Sequence, residues 1–113
     1  MVKVILLLHR RADMSIDEFR RYWHERHRPL VEQLPGLRRL VLNDVLPGPD
    51  GTTSACDGIA EDWFDSLETM QAAFASPEAQ AVSADVVNFL DLSRFQLLMV
   101  TEQEVPLGVA AAA

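Results

Sequence analysis
Val2–Arg10, VKVILLLHR, is a continuous apolar run opened by β-branched residues, the pattern of a strand buried on both faces. Beyond it, Ser15 offers an N-cap, Glu18 completes a capping box, and Asp17 adds favourable charge to the first turn. The helix that follows is predicted from Ile16 to about His27. Pro29 has no N–H for the carbonyl four residues back, so the helix should kink or restart there and end near Leu34, before the Pro35-Gly36 turn. Leu37–Leu46 reads as a second strand, Pro47–Ser54 as a hairpin connection and Cys56–Phe64 as a third strand. Ser66 caps a helix carrying Leu67, Met70 and Phe74 inward. Ser76-Pro77-Glu78 restarts it, with Ala79, Val82, Val86, Phe89 and Leu90 on one side. Arg94–Val105 is the last strand, in which Phe95, Leu97 and Met99 alternate with Gln96, Leu98 and Val100.

The order β-α-β-β-α-β predicts an α+β, ferredoxin-like fold: a four-stranded antiparallel sheet with both helices on one face. The first strand is apolar through Val2, Val4, Leu6 and Leu8 and also through Ile5 and Leu7. The last strand likewise offers Leu98 and Val100 opposite Leu97 and Met99. Helices cover only one face, so a second subunit is expected on the other: a homodimer paired sheet to sheet. One domain is expected over 1–105. The tail 106–113, PLGVAAAA, has no periodicity and is expected to be loose or to lie against a partner.

Composition narrows the function. A net charge of −7 argues against nucleic acid and anionic membrane surfaces as partners. Six arginines between Arg20 and Arg39 make that segment locally basic, as a solvated helix face or a steering surface for an anionic ligand. The single cysteine, Cys56, excludes an intramolecular disulfide and a multi-cysteine metal site and suggests a reducing compartment. The apolar start is followed by charge with no small-residue cleavage pattern, and no run approaches the ~18 apolar residues of a membrane span. A cytoplasmic location is expected.

The chemistry concentrates in Phe19–Leu34, FRRYWHERHRPLVEQL. On a helix at about 100° per residue, Ile16, Phe19, Trp23, His27, Leu30 and Leu34 form one stripe with His27 near its middle. An ionisable imidazole is thereby carried into the interior beside an indole, either as a satisfied core histidine or facing a pocket. His24 and His27 make H-E-R-H, which is not the H-E-x-x-H zinc pattern, and no metal site is expected. No Gly-rich phosphate loop is present, so nucleotide and flavin cofactors are not implied.

Several pieces together resemble the EthD-like proteins of the dimeric α+β barrel superfamily. They are Phe19…Tyr22-Trp23…His27-x-Pro29-Leu30-Val31, Leu34-Pro35-Gly36-Leu37-Arg38-Arg39, Asn43, Asp57-Gly58-Ile59-Ala60-Glu61 with Trp63-Phe64, and Asp85 with Phe89 and Asp91. The resemblance runs over nearly the whole chain. It implies a small cofactorless protein that forms a barrel from two sheets, with a pocket in each subunit between sheet and helices. Lactone isomerases and enzymes of aromatic polyketide and ring-degradation pathways belong to or border that family. Asp62 departs from its usual hydrophobic residue and should face the dimer side or solvent, opposite Glu61.

His27 is the leading acid–base candidate, since imidazole both takes and gives a proton near neutral pH. Glu61 shares a strand face with Asp57, Ile59 and Trp63; if that face meets the helices, it becomes the partner carboxylate of His27, and otherwise it pairs with an arginine. Asp85 lies on the margin of the second helix's apolar stripe, as a pocket-mouth carboxylate or a solvated flank. Tyr22, Trp23, Asn43, Trp63 and Phe89 are the candidate substrate-binding residues. The expected function is cofactor-independent acid–base chemistry (isomerisation, cyclisation, dehydration or decarboxylation) on a small cyclic hydrophobic metabolite such as a lactone or aromatic polyketide. The alternatives are a cofactor-free or haem-type monooxygenase and a non-catalytic protein that binds such a metabolite.

Overall fold
The computed structural model describes residues 1–108, so the last five positions of the expected tail, 109–113, lie outside the described residues. Its elements are β1 (Val2–Leu8), α1 (Ile16–Tyr22), a π-helical turn (Trp23–His27), α2 (Arg28–Val31), β2 (Arg39–Asp44), β3 (Gly58–Phe64), α3 (Leu67–Phe74), α4 (Pro77–Asp85), short 3₁₀ turns at Val86–Asn88 and Leu92–Arg94, and β4 (Gln96–Thr101). The strands form one antiparallel sheet in the order β2-β3-β1-β4, the α+β arrangement expected from the element order. Every strand is shorter than the segment expected for it.

Register decides which side chains meet the helices, since residues directly opposite across strands share a face. Val4 pairs with Asp62 and Met99, Leu6 with Ala60 and Leu97, and Leu40 and Leu42 with Asp62 and Ala60. Val4, Ala60, Phe64 and Asp62 are buried on this face. The other face carries Lys3, Ile5, Val41, Asn43, Ile59, Glu61, Trp63, Leu98 and Val100. Two expectations are corrected here. Glu61 lies on the face away from the helices, and Asp62, expected at the dimer side or in solvent, is buried beneath them at 3% exposure.

The first helix restarts at the proline, as expected: Pro29 lies in the first turn of α2, which follows the π turn. Backbone angles stay right-handed helical at Tyr22, Trp23, His27, Arg28 and Glu32, and the irregularity comes earlier, as the π turn that closes from Arg28 N–H to the Trp23 carbonyl. Proline leaves a carbonyl on the preceding turn without its donor. The Arg28 side chain supplies one, its Nε donating to the His24 carbonyl at 2.8 Å.

Two buried clusters hold the helices to the sheet: Leu8, Phe19, Trp23, Ala60, Phe89 and Leu90, and Val2, Val4, Phe64, Met70 and Ala73. The α3 stripe is narrower than expected. Met70 and Ala73 are buried, while Leu67 and Phe74 stay 49% and 38% exposed, because eight residues between the Ser66 cap and Ala75 give only two turns against the strands. The last helix ends at Asp85, and the 3₁₀ turn brings Phe89 and Leu90 into the core. Arg11 N–H donates to the Phe89 carbonyl and Asp91 N–H to the His9 carbonyl, tying that turn to the end of β1. Among the described residues no helix is long and apolar enough to cross a membrane.

Candidate active site
His27 closes the π turn and is 6% exposed. Its Nδ1 lies 2.8 Å from Asp85 Oδ2 at the end of α4. Tyr22, one helical turn and one residue earlier, donates its hydroxyl to Asp85 Oδ1 at 2.6 Å, and Asn88 Nδ2 donates to the same oxygen at 3.0 Å. An ionised carboxylate only accepts, so Nδ1 carries the proton and Nε2 is left as the acceptor. The Phe89 ring stacks on Tyr22 at 5.3 Å and lies 4.7 Å from the imidazole, so the triad is walled by an aromatic ring.

The electrostatics fit a neutral imidazole beside an ionised carboxylate. Burial pushes the His27 pKa below its ordinary 6.5, and the Asp85 hydrogen bond and charge offset this only in part. Burial works against the Asp85 charge too, but hydrogen bonds from Tyr22, His27 and Asn88 hold it below the usual carboxylate value. Tyr22 is raised, first by its bond to that carboxylate.

His27 opens on a cavity of about 380 Å³ between helices and sheet. Its sheet wall includes Leu6, Leu8, Leu40, Leu42, Ala60 and Asp62; its helix wall includes Trp23, His27, Val31, Val82, Val86 and Phe89. The lining is mostly hydrocarbon, and the volume suits a small cyclic molecule. Asp62 Oδ1 is buried with no hydrogen-bond partner among the described residues, and burial raises this carboxyl to about 7.

Of the residues singled out in the sequence, His27, Asp85, Tyr22, Trp23 and Phe89 come together. Glu61, Asn43 and Trp63 do not. They sit on the opposite sheet face, where Lys3 Nζ bonds Glu61 at 2.9 Å and Glu102 at 3.2 Å, Asn43 Nδ2 donates to Glu61 at 3.0 Å, and the Trp63 indole donates to Glu102. The Arg39 guanidinium lies 4.5 Å from the Trp63 ring. Glu61 is therefore the partner of a lysine, and Asp85 is the partner of His27. Sequence reasoning missed Asp62 as a cavity group; the useful signal was Lys3, a charge in β1 that cannot face a helix-covered core and so fixes which row of β3 is open. His24 diverges from His27 and pairs with Asp44 at 2.8 Å. Among the described residues, no group of three or more His, Cys, Asp or Glu side chains could hold a metal ion.

The model of the EthD domain matches residues 11–93, most of the chain. The chain is 33% identical over 89 residues to an uncharacterized 11.0 kDa protein of the thcB-thcC intergenic region of Rhodococcus erythropolis, covering 79% of this chain and 84% of that protein. Among solved structures it is similar to an ethyl tert-butyl ether d (ethd) family protein from Bacillus halodurans, with 26% identity, a TM-score of 0.79 and coverage of 91% of this chain and 99% of the other. The fold is shared with two more distant structures. One is a dimeric ferredoxin-like protein of unknown function from Bacteroides fragilis (16% identity, TM-score 0.66, 88% and 93% coverage). The other is SnoaB, a cofactor-independent oxygenase from Streptomyces nogalater (14%, 0.64, 92% and 94%). With the domain match running from before α1 into the 3₁₀ turn that precedes β4 and a relative one-third identical over most of its length, the chain belongs to the EthD family.

Proposed function
We propose that this protein is a cofactor-independent enzyme whose cavity takes a small, largely apolar cyclic molecule, such as a lactone or aromatic polyketide, and that His27 exchanges a proton with it. The observation that carries this reading is the buried imidazole: Asp85 holds its Nδ1, and Nε2 is left for a guest in an apolar cavity. A base whose pKa lies below the working pH is ready to accept a proton without first losing one. Isomerisation, cyclisation, dehydration and decarboxylation all draw on that step. Asp85 and Tyr22 act as positioning residues, fixing the ring and its tautomer, while Trp23 and Phe89 shape the apolar wall.

The test is turnover. Screened against lactones and hydroxylated polycyclic aromatics, wild type converts a member of the set, and His27→Ala folds but loses at least about a hundredfold in kcat. The acid limb of the wild-type profile lies below pH 6.5, the ordinary histidine value. Unchanged turnover by His27→Ala removes the imidazole from the mechanism. Oxygen chemistry is the second reading, supported by the likeness to SnoaB and by the Trp23 indole in the same cavity. It requires oxygen uptake stoichiometric with product. Tight binding of one of these molecules with no product formed would instead favour a binding protein.

A further inference from the structure
We propose that Asp62 is a second ligand-contacting group of this cavity, donating a hydrogen bond to a carbonyl oxygen, so that the site selects apolar rings bearing a ketone, quinone or lactone carbonyl. The inference rests on the reading of the cavity as a ligand site and adds what that ligand carries.

Asp62 lies in the end row of the sheet wall, one row beyond Ala60. Its cross-strand neighbours are Val4 and Leu40, both hydrocarbon, and it is 97% buried with Oδ1 unpartnered among the described residues. A buried polar atom without a partner destabilises the fold, and a hydrophobic residue at this position would avoid that cost. The charged groups nearest in sequence or register give no relief. Glu61, Lys3 and Arg39 project to the other face, where they engage one another and Trp63. Among the described residues, the other ionisable groups lining the cavity are His27 and Arg28. His27 is held by Asp85, and the Arg28 guanidinium is committed to the His24 carbonyl and Glu32.

Burial is thus the only influence of note on this carboxyl and raises it to about 7. In mildly acidic solution it is a neutral acid, and a neutral carboxyl group has an O–H to give. The cavity then presents one donor on its sheet wall and one acceptor, His27 Nε2, on its helix wall, separated by hydrocarbon. Environments that push two titratable groups apart in this way assign the acid and the base. The complementary guest has a carbonyl oxygen at one end and an apolar ring in between.

1-Tetralone and tetralin share a skeleton and differ by that one carbonyl, so their affinity ratio reads the contact. At pH 6, NMR titration is expected to give wild type about a tenfold preference for the ketone, the value of one hydrogen bond to a buried group. Asp62→Leu brings the ratio to about one, whatever it does to the affinity for tetralin itself. Raising the pH to 8 narrows the wild-type ratio, whereas Asp62→Asn, whose amide remains a donor, keeps its preference at both pH values. A ratio unchanged in Asp62→Leu, or a wild type that never distinguishes the two, overturns the inference and leaves the cavity reading standing. Failure of wild type to bind either molecule overturns the cavity reading and this inference with it. Should Asp62→Leu not fold, the Asn variant decides: a ratio as pH-dependent as the wild type's sinks the proposal.

Discussion

Asp85 stands where an acidic residue is least welcome, at the last position of α4, next to the partial negative charge of a helix C-terminus. Its three hydrogen bonds, from Tyr22, His27 and Asn88, explain why it stays ionised there. Asp62 is the opposite case, a carboxyl with no hydrogen-bond donor among the described residues. A group whose folded pKa is raised from 3.8 to about 7 adds stability below pH 3.8 and loses it as pH rises through 7. Asp62→Asn is therefore expected to raise the melting temperature at pH 8, and to do so less at pH 5, as differential scanning calorimetry would show. An equal gain at both pH values would mean the carboxyl is not perturbed by burial. His27 was legible because an imidazole in an apolar stripe breaks the helical pattern. Which carboxylate orients it, Glu61 or Asp85, was not, because Asp85 lies 58 residues away and the pairing depends on how α4 docks on the first helix.

At the scale of elements, the π turn and the start of β3 are fitted to each other. A π turn inserts one residue's worth of extra backbone, and such turns are frequent at functional sites. Trp23 opens the turn, and its ring lies so close to Gly58 that a Cβ there would come within 2.6 Å of it. Gly58→Ala is expected to push the indole toward the cavity, destabilising the fold by about 1–3 kcal/mol in urea denaturation and weakening ligand binding. A variant as stable as wild type would mean the ring relaxes freely. Helix starts were legible from Ser15, Ser66 and Ser76, each of which accepts the backbone N–H three residues on. The facing of β3 was not. Ala60, Asp62 and Phe64 alternate with Ile59, Glu61 and Trp63, and each row contains one acid and two apolar residues. Only pairing with β1 chooses between them.

For the whole molecule, the sheet is covered on one side. Leu98, on the uncovered face, is 52% exposed, and Leu97 and Met99 of the same edge strand are 43% and 57% exposed. An apolar edge strand left unpartnered invites association. A sheet-to-sheet homodimer is our proposal for this chain. Light scattering at micromolar concentration is expected to report twice the chain mass, and Leu98→Glu to shift it toward one. A monomeric wild type would sink the idea. The α+β order was legible from alternating runs and caps, because each element carries its own local signal. Partnership was legible only as a surplus of hydrocarbon.

The ion pair of Lys3 with Glu61 and Glu102 has a chemical consequence. Lys3 is the sole lysine of the sequence, so this side chain is its one ε-amine. Bonding to two carboxylates raises its basicity and keeps the nitrogen protonated, which makes it a poor nucleophile. Acylating reagents at neutral pH find little to react with on these side chains, and Cys56, the one thiol, is buried. A reporter to be attached through a side chain calls for an engineered handle on an exposed loop, such as the one around Asp50 and Gly51.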